Sequence, residues 1–210
     1  MPLNPLQRRL ERIYDISIEH RVEDFLISSG RNPDRHSGRE ALLVSQQGDE
    51  LGLSLYVDAD VLAYIERGDP FARPQEADLD RLCVALEGVS HFLYLAWMAG
   101  HDRPVSLLEL ELQAEVDKYV ALACAHAERP DRGDGRDLHR RLFQAVRFDP
   151  RLDGGEQRRY RAANHYAGRY CAGLERRYGA TGDIAGMVRE SRRFYRLLQR
   201  QKLGWIARTG

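Results

Sequence analysis

Apolar positions recur along most of this chain at the three-to-four-residue spacing of helices that bury one face. Leu6, Leu10, Ile13, Tyr14, Ile18, Val22, Phe25 and Leu26 keep that spacing and predict a first helix over residues 6–29. A breaker-rich loop, RNPDRHSGRE (31–40), follows. The period then changes. ALLVSQ and LGLSLYV flank a turn at Gln47-Gly48-Asp49, and Leu51, Leu53, Leu55 and Val57 alternate strictly, which predicts a β-hairpin. A two-stranded hairpin alone is marginal in water, so this one must lie on a helix, join another strand or pair with a second chain.

Helical spacing resumes over residues 59–67, 76–99, 107–128, 136–147, 155–178 and 183–203. Asp58 and Ser106 stand at N-cap positions, with Glu109 at the capping-box position after Ser106. Gly100 and the Gly179–Gly182 segment mark helix ends, and RPDRGDG (129–135) and FDPRLDGG (148–155) read as loops. The expected fold is mainly α: a bundle of about five to six helices with a small β-hairpin near the N-terminus, α+β being the alternative. One domain over residues 1–210 is expected, with a helix-plus-hairpin subregion over 1–70 and a helical core over 75–210.

The segment LCVALEGVSHFLYLAWMA (82–99) is almost unbroken apolar sequence, with Glu87, Ser90 and His91 as its polar side chains. It nearly reaches membrane-spanning length, but ionisable groups at its centre favour a buried core helix. No membrane association is therefore expected. Cys83, Cys124 and Cys171 are odd in number, form no C-x-x-C pair and sit in apolar segments, which suits a reducing compartment. The N-terminal MPLNPLQRRLERIYD lacks the apolar region of a signal peptide, so a soluble cytoplasmic protein is expected.

A formal net charge of zero conceals an asymmetry. Residues 1–130 carry 13 basic and 23 acidic side chains, whereas residues 131–210 carry 19 basic and 9 acidic. Either the basic part engages a polyanion, or the two parts neutralise each other within one fold. On the second view acidic helices over 76–128 pack on basic helices over 155–203, and Arg161 or Arg169 reaches a dry Glu87.

Glu87 and His91 are the strongest candidates for chemistry, as metal ligands or as an acid/base pair. Four residues apart on a helix, they share one side, where a carboxylate orients an imidazole and raises its basicity. A metal site needs more ligands, and Glu111, Glu115 and His165 are the further candidates. Glu109, Gln113 and Asp117 form one polar row on the 107–128 helix, and Glu111, Glu115 and Lys118 the other; solvation or ion pairing to arginines also accounts for these rows. Arg189, Arg192, Arg193 and Arg196, interleaved with Phe194 and Tyr195, are candidates for binding an anion or partner.

Several familiar patterns are excluded. Gly88-Val89-Ser90-His91-Phe92 lacks the closing glycine and preceding strand of a nucleophile elbow. Glu-x-x-x-His is neither the Glu-x-x-His of ferritin-like sites nor His-Glu-x-x-His. Asp131, Asp134 and Asp137 lack EF-hand spacing, Cys124 and His126 point apart on a helix, and RGD at 132–134 is coincidental. There is no Walker loop, Rossmann fingerprint or kinase set, which disfavours the commoner nucleotide enzymes and leaves any cofactor unknown.

Three readings follow in rank. The first is an interaction or regulatory protein that binds a protein partner or a second copy through the hairpin edge or the arginine-rich face. Next comes a helical-bundle metalloprotein or enzyme using Glu87 and His91. The third is a nucleic-acid-binding protein using Arg189 to Arg200.

Overall fold

The computed structural model describes residues 2–27, 39–48, 50–72, 76–129, 137–145 and 152–209. The loops expected around 31–38, 130–136 and 148–151, with Asp49, Asp131, Asp134 and the RGD triplet, lie outside the described residues. The chain is mainly helical: α1 (Asn4–Tyr14), α2 (Ala59–Glu66), α3 (Glu76–Ala99), α4 (Leu107–Ala127), α5 (Leu138–Phe143), α6 (Gly154–Leu174), α7 (Ile184–Tyr195) and α8 (Gln199–Thr209). Strands β1 (Glu40–Gln47) and β2 (Glu50–Val57) form an antiparallel hairpin near the N-terminus. Two compact units divide the chain, residues 1–11 with 16–103 and residues 12–15 with 104–210.

In the first unit the helix expected over 6–29 is two elements. α1 ends at Tyr14, Asp15 takes a φ of +53°, and Val22–Phe25 form a separate 3-10 turn. Polar side chains explain the departure. Glu23 Oε1 accepts hydrogen bonds from the Leu3 and Asn4 amides at 3.0 and 3.1 Å, satisfying donors that a helix start leaves unpaired. Buried Gln7 accepts from the Val22 amide at 2.8 Å and donates to the His20 carbonyl at 2.9 Å, which ties the returning segment alongside α1.

The hairpin takes the expected register, with Glu40 opposite Val57 and Gln47 opposite Glu50, and Gly48 supplies the positive φ of the turn. Of the three ways to support it, the hairpin uses two: both strands pack on α3, and β2 also takes a bridge from Leu26, with the Ile27 amide donating to the Leu55 carbonyl at 2.9 Å. Leu55 and Val57 face that helix at Gly88, where an added Cβ would stand 3.2 Å from Leu55 Cδ1 and 3.6 Å from Val57 Cγ2. Missing side-chain volume at one helical position lets the sheet approach closely. By length and composition alone, Asp78–Ala99 of α3 meets the criterion for a membrane span, but 61% of its most apolar window is buried, as in a core helix.

In the second unit α4 packs on α5, α6 and α7, and α6 also meets α5 and α8. Ser106 caps α4 by accepting from the Glu109 amide at 3.1 Å, and Asp153 with Glu156 forms a capping box on α6. Ala163, Ala167, Tyr170 and Leu174 supply the buried stripe of α6. Instead of one helix over 183–203 there are two. The Leu198 amide donates to Gln201 Oε1 at 2.9 Å, a side-chain cap that starts α8 afresh. This restart carries Lys202 into the interior at 0% exposure. The aromatic residues of the final third are core: Tyr170 stacks on Phe194 and Tyr195 on Tyr14, at 3.9 and 4.1 Å between centroids.

Candidate functional site

The first unit places a buried imidazole against a partly buried carboxylate. His91 lies on α3 at 4% exposure, and its Nδ1 stands 3.5 Å from Oε1 of Glu40, the first residue of β1. The second oxygen of Glu40 lies over Gly88, 3.2 Å from where a Cβ would be. Glu40 is held there by its neighbour. The Arg39 carbonyl accepts from the Asp58 amide at 2.8 Å, and its guanidinium joins Asp58 and Asp60, at 3.7 and 2.7 Å, and Asp80 of α3. Glu87 stands one turn before His91 and is half-buried, not fully dry. Ser90 is buried beside them.

Chemically, a carboxylate at Nδ1 favours the tautomer with its proton on that nitrogen. It leaves the Nε2 lone pair as the basic or ligating atom. Glu40 and Gly88 were not singled out by the sequence. Glu40 sits far from His91 along the chain, and only the landing of the hairpin on α3 joins them.

The other ligand candidates occupy the second unit. Glu111, on a row that solvation would explain, is buried, and its Oε1 lies 3.7 Å from Arg159 Nε. Glu115 is half-buried and accepts from Lys118 Nζ at 2.8 Å. His165 is exposed, with its ring edge-on to Tyr166. Deeper inside, Lys202 Nζ donates to Gln113 Oε1 at 2.6 Å and stands 3.8 Å from Glu109 Oε1. Gln113 in turn donates to Asp117 Oδ1 at 2.6 Å. Burial first, and the neighbouring Asp117 carboxylate second, hold the Tyr14 phenol well above its ordinary value. Burial likewise raises Tyr170 and the Cys171 thiol, and Cys171 is fully buried in the core. Acidic α4 therefore meets basic α6 and α8 inside this unit, through Glu111–Arg159 and Glu109–Lys202.

The arginine-rich helix serves partly as scaffold. Arg192 donates to the carbonyls of Arg12 and Ile13 at 2.9 and 2.8 Å, and Arg196 to those of Tyr14 and Asp15 at 3.0 and 2.9 Å. These are the carbonyls that the end of a helix leaves without amide partners. Arg189 is exposed and lies 3.9 Å from Asp183, and Arg193 is exposed. Arg161 and Arg169, the expected partners of Glu87, stand exposed on α6. Comparison with known proteins adds no assignment: no family model, curated protein or solved structure matches this chain.

Proposed function

We propose that this chain binds a transition-metal ion on α3, with Glu87 and His91 as ligands and Glu40 as the carboxylate that fixes the His91 ring. The observation that carries this reading is the buried His91 Nδ1 lying 3.5 Å from Glu40 Oε1. A metal-bound histidine commonly gives its other ring nitrogen to a carboxylate, which sets the tautomer and strengthens the ligand. Imidazole with carboxylate oxygen suits zinc, iron or manganese. The apolar face of the hairpin lies on α3, and Arg192 and Arg196 donate to backbone carbonyls.

Metal content of the purified protein tests the reading. Stoichiometric metal, lost in Glu87→Gln and in His91→Ala with the fold retained, is expected. Glu40→Gln should weaken binding by about 10–100-fold, as loss of an orienting partner does. Glu111→Gln, Glu115→Gln and His165→Ala run in the same assay separate ligands from bystanders. Folded protein that holds no metal and takes up none overturns the reading.

One observation favours a second reading, partner binding at the hairpin. Among the described residues β1 pairs with β2 on one side and with no strand on the other, and its Val44 is 52% exposed. An unpaired edge is a template for another chain. A monomeric mass in solution with no co-purifying protein would count against it.

A further inference from the structure

We infer that β1 is a self-pairing edge: two copies of this chain join β1 to β1, antiparallel, about a two-fold axis at Leu43. The inference rests on the second reading above, the hairpin as a docking site, and names its occupant. The Asp58 amide donates to the Arg39 carbonyl at 2.8 Å, so these two residues continue the β1–β2 register as a hydrogen-bonded pair. In an antiparallel ladder the bonds alternate. Ala41, Leu43, Ser45 and Gln47 therefore bond to β2, and the amides and carbonyls of Leu42, Val44 and Gln46 point away from it. Leu55 keeps the same alternation, since its carbonyl accepts from the Ile27 amide at 2.9 Å on the far side of β2. Leu26 and Ile27 thus occupy the β2 side of the hairpin. Among the described residues no strand occupies the β1 side, and Leu42 and Val44 make no backbone hydrogen bond there.

Edges that face water are blunted by charge, proline or a bulge. This one carries none of them. ALLVSQQ (41–47) has no charged residue and no proline, its pairing with β2 runs unbroken from Glu40 to Gln47, and Val44 is 52% exposed. A charged peptide finds no complement along such a strand, whereas a second β1 does. With the axis at Leu43, Leu43 meets its own counterpart, Leu42 meets Val44, and Ala41 meets Ser45. Glu40, the one charge in β1, stands opposite Gln46 and not another acid. Leu42 and Val44 then exchange their outward amides and carbonyls, four hydrogen bonds about the axis, and Leu42 of each copy covers Val44 of the other. An axis at Val44 would instead set Leu42 against Gln46. Two single strands bury less than the roughly 1,200 Å² of a standard stable interface, so the dimer is reversible and depends on concentration.

Sedimentation velocity across a concentration series, combined with disulfide trapping, tests it. A reversible dimer is expected, and Val44→Lys should weaken it about tenfold or more by placing a charge on the pairing edge. Val44→Pro removes only an outward amide and should do the same. Circular dichroism checks that each variant keeps the parental fold, and either one suffices. Leu43→Cys should cross-link under mild oxidation above the level set by the native cysteines. Opposed positions without hydrogen bonds stand about 4.5 Å apart between Cα atoms, within disulfide range. Ser45→Cys should stay at the parental level, because the two copies of residue 45 lie about 14 Å apart in this register. A parent that is monomeric at about 1 mM overturns the inference. So does a dimer that a folded Val44 variant leaves unchanged, or cross-linking as strong at residue 45 as at residue 43. A monomer that retains a different protein, lost in Val44→Lys, overturns the second copy and spares the hairpin as a docking site. A monomer that retains none overturns both.

Discussion

Lys202→Met removes the ammonium group at the centre of the second unit's interior while keeping most of the side-chain volume. Lys202 is fully buried, donates to Gln113 Oε1 at 2.6 Å, stands 3.8 Å from Glu109 Oε1, and lies over the Phe194 ring at 5.3 Å. At 3.8 Å, with an effective dielectric of about 20, the gross attraction to the Glu109 carboxylate is about 4 kcal/mol. Removing one member of a buried pair also strands the other charge, and such losses run to about 3–5 kcal/mol. Met leaves the Gln113 carbonyl without the Lys202 donor and removes the cation facing Glu109, so a loss of about 3–5 kcal/mol is expected. Urea unfolding followed by far-ultraviolet circular dichroism measures it, with an unchanged m-value confirming the same transition. The double variant Lys202→Met, Glu109→Gln removes both charges and should recover about half of the loss or more. A loss below about 1 kcal/mol, or simple additivity in the double variant, would refute a buried, coupled pair.

Three further outcomes follow from the geometry. Arg192→Ala with Arg196→Ala removes the donors that close the end of α1; both side chains are partly exposed, so about 1–2 kcal/mol in total is expected, with faster amide exchange in the last turn of α1. Gly88→Val pushes against Glu40 and Leu55 and should cost about 1–3 kcal/mol in thermal unfolding, whereas Gly88→Ala, whose Cβ contacts are only 3.2 Å and whose helix propensity improves, should stay within about 1 kcal/mol. Tyr14, Tyr119 and Tyr170 have phenols raised above the ordinary 10.0, so the unfolded state releases protons first and stability is lost as pH rises above that value. Absorbance of their tyrosinates should then appear only together with unfolding; their titration in the intact fold would contradict the burial.

Much of the architecture was legible because it rests on local rules. The hairpin announced itself by strict alternation in LGLSLYV, and α4 by Ser106 before an apolar run. Failures came where side chains compete for backbone groups. Nothing in the periodicity of residues 6–29 reveals that Glu23 will bind the amides of Leu3 and Asn4, or that Gln7 will bind the strand of chain it faces. The same holds at Leu198, where Gln201 caps a new helix inside an apparently continuous pattern. For the site, Glu87 and His91 were visible as a helical pair inside apolar sequence. Glu40 was not, since it is one acid among many until the hairpin lands on Gly88. The interior of the second unit was half visible. Opposite charge on α4 and the last helices suggested pairing, but a fully buried Lys202 required the break between α7 and α8. Sequence shows the charge of Arg192 and Arg196 but not the helix end whose carbonyls they bind.

The central claim is that Glu40 sets the His91 ring so that its Nε2 binds a metal ion. Nitrogen-15 spectra of histidine-labelled protein, recorded during titration with zinc or cadmium, test it most directly. In the metal-free protein His91 should show a protonated Nδ1, and metal should shift Nε2 alone, with saturation at one equivalent. An Nε2-protonated ring, or a His91 signal that stays unchanged through the titration, would contradict the account.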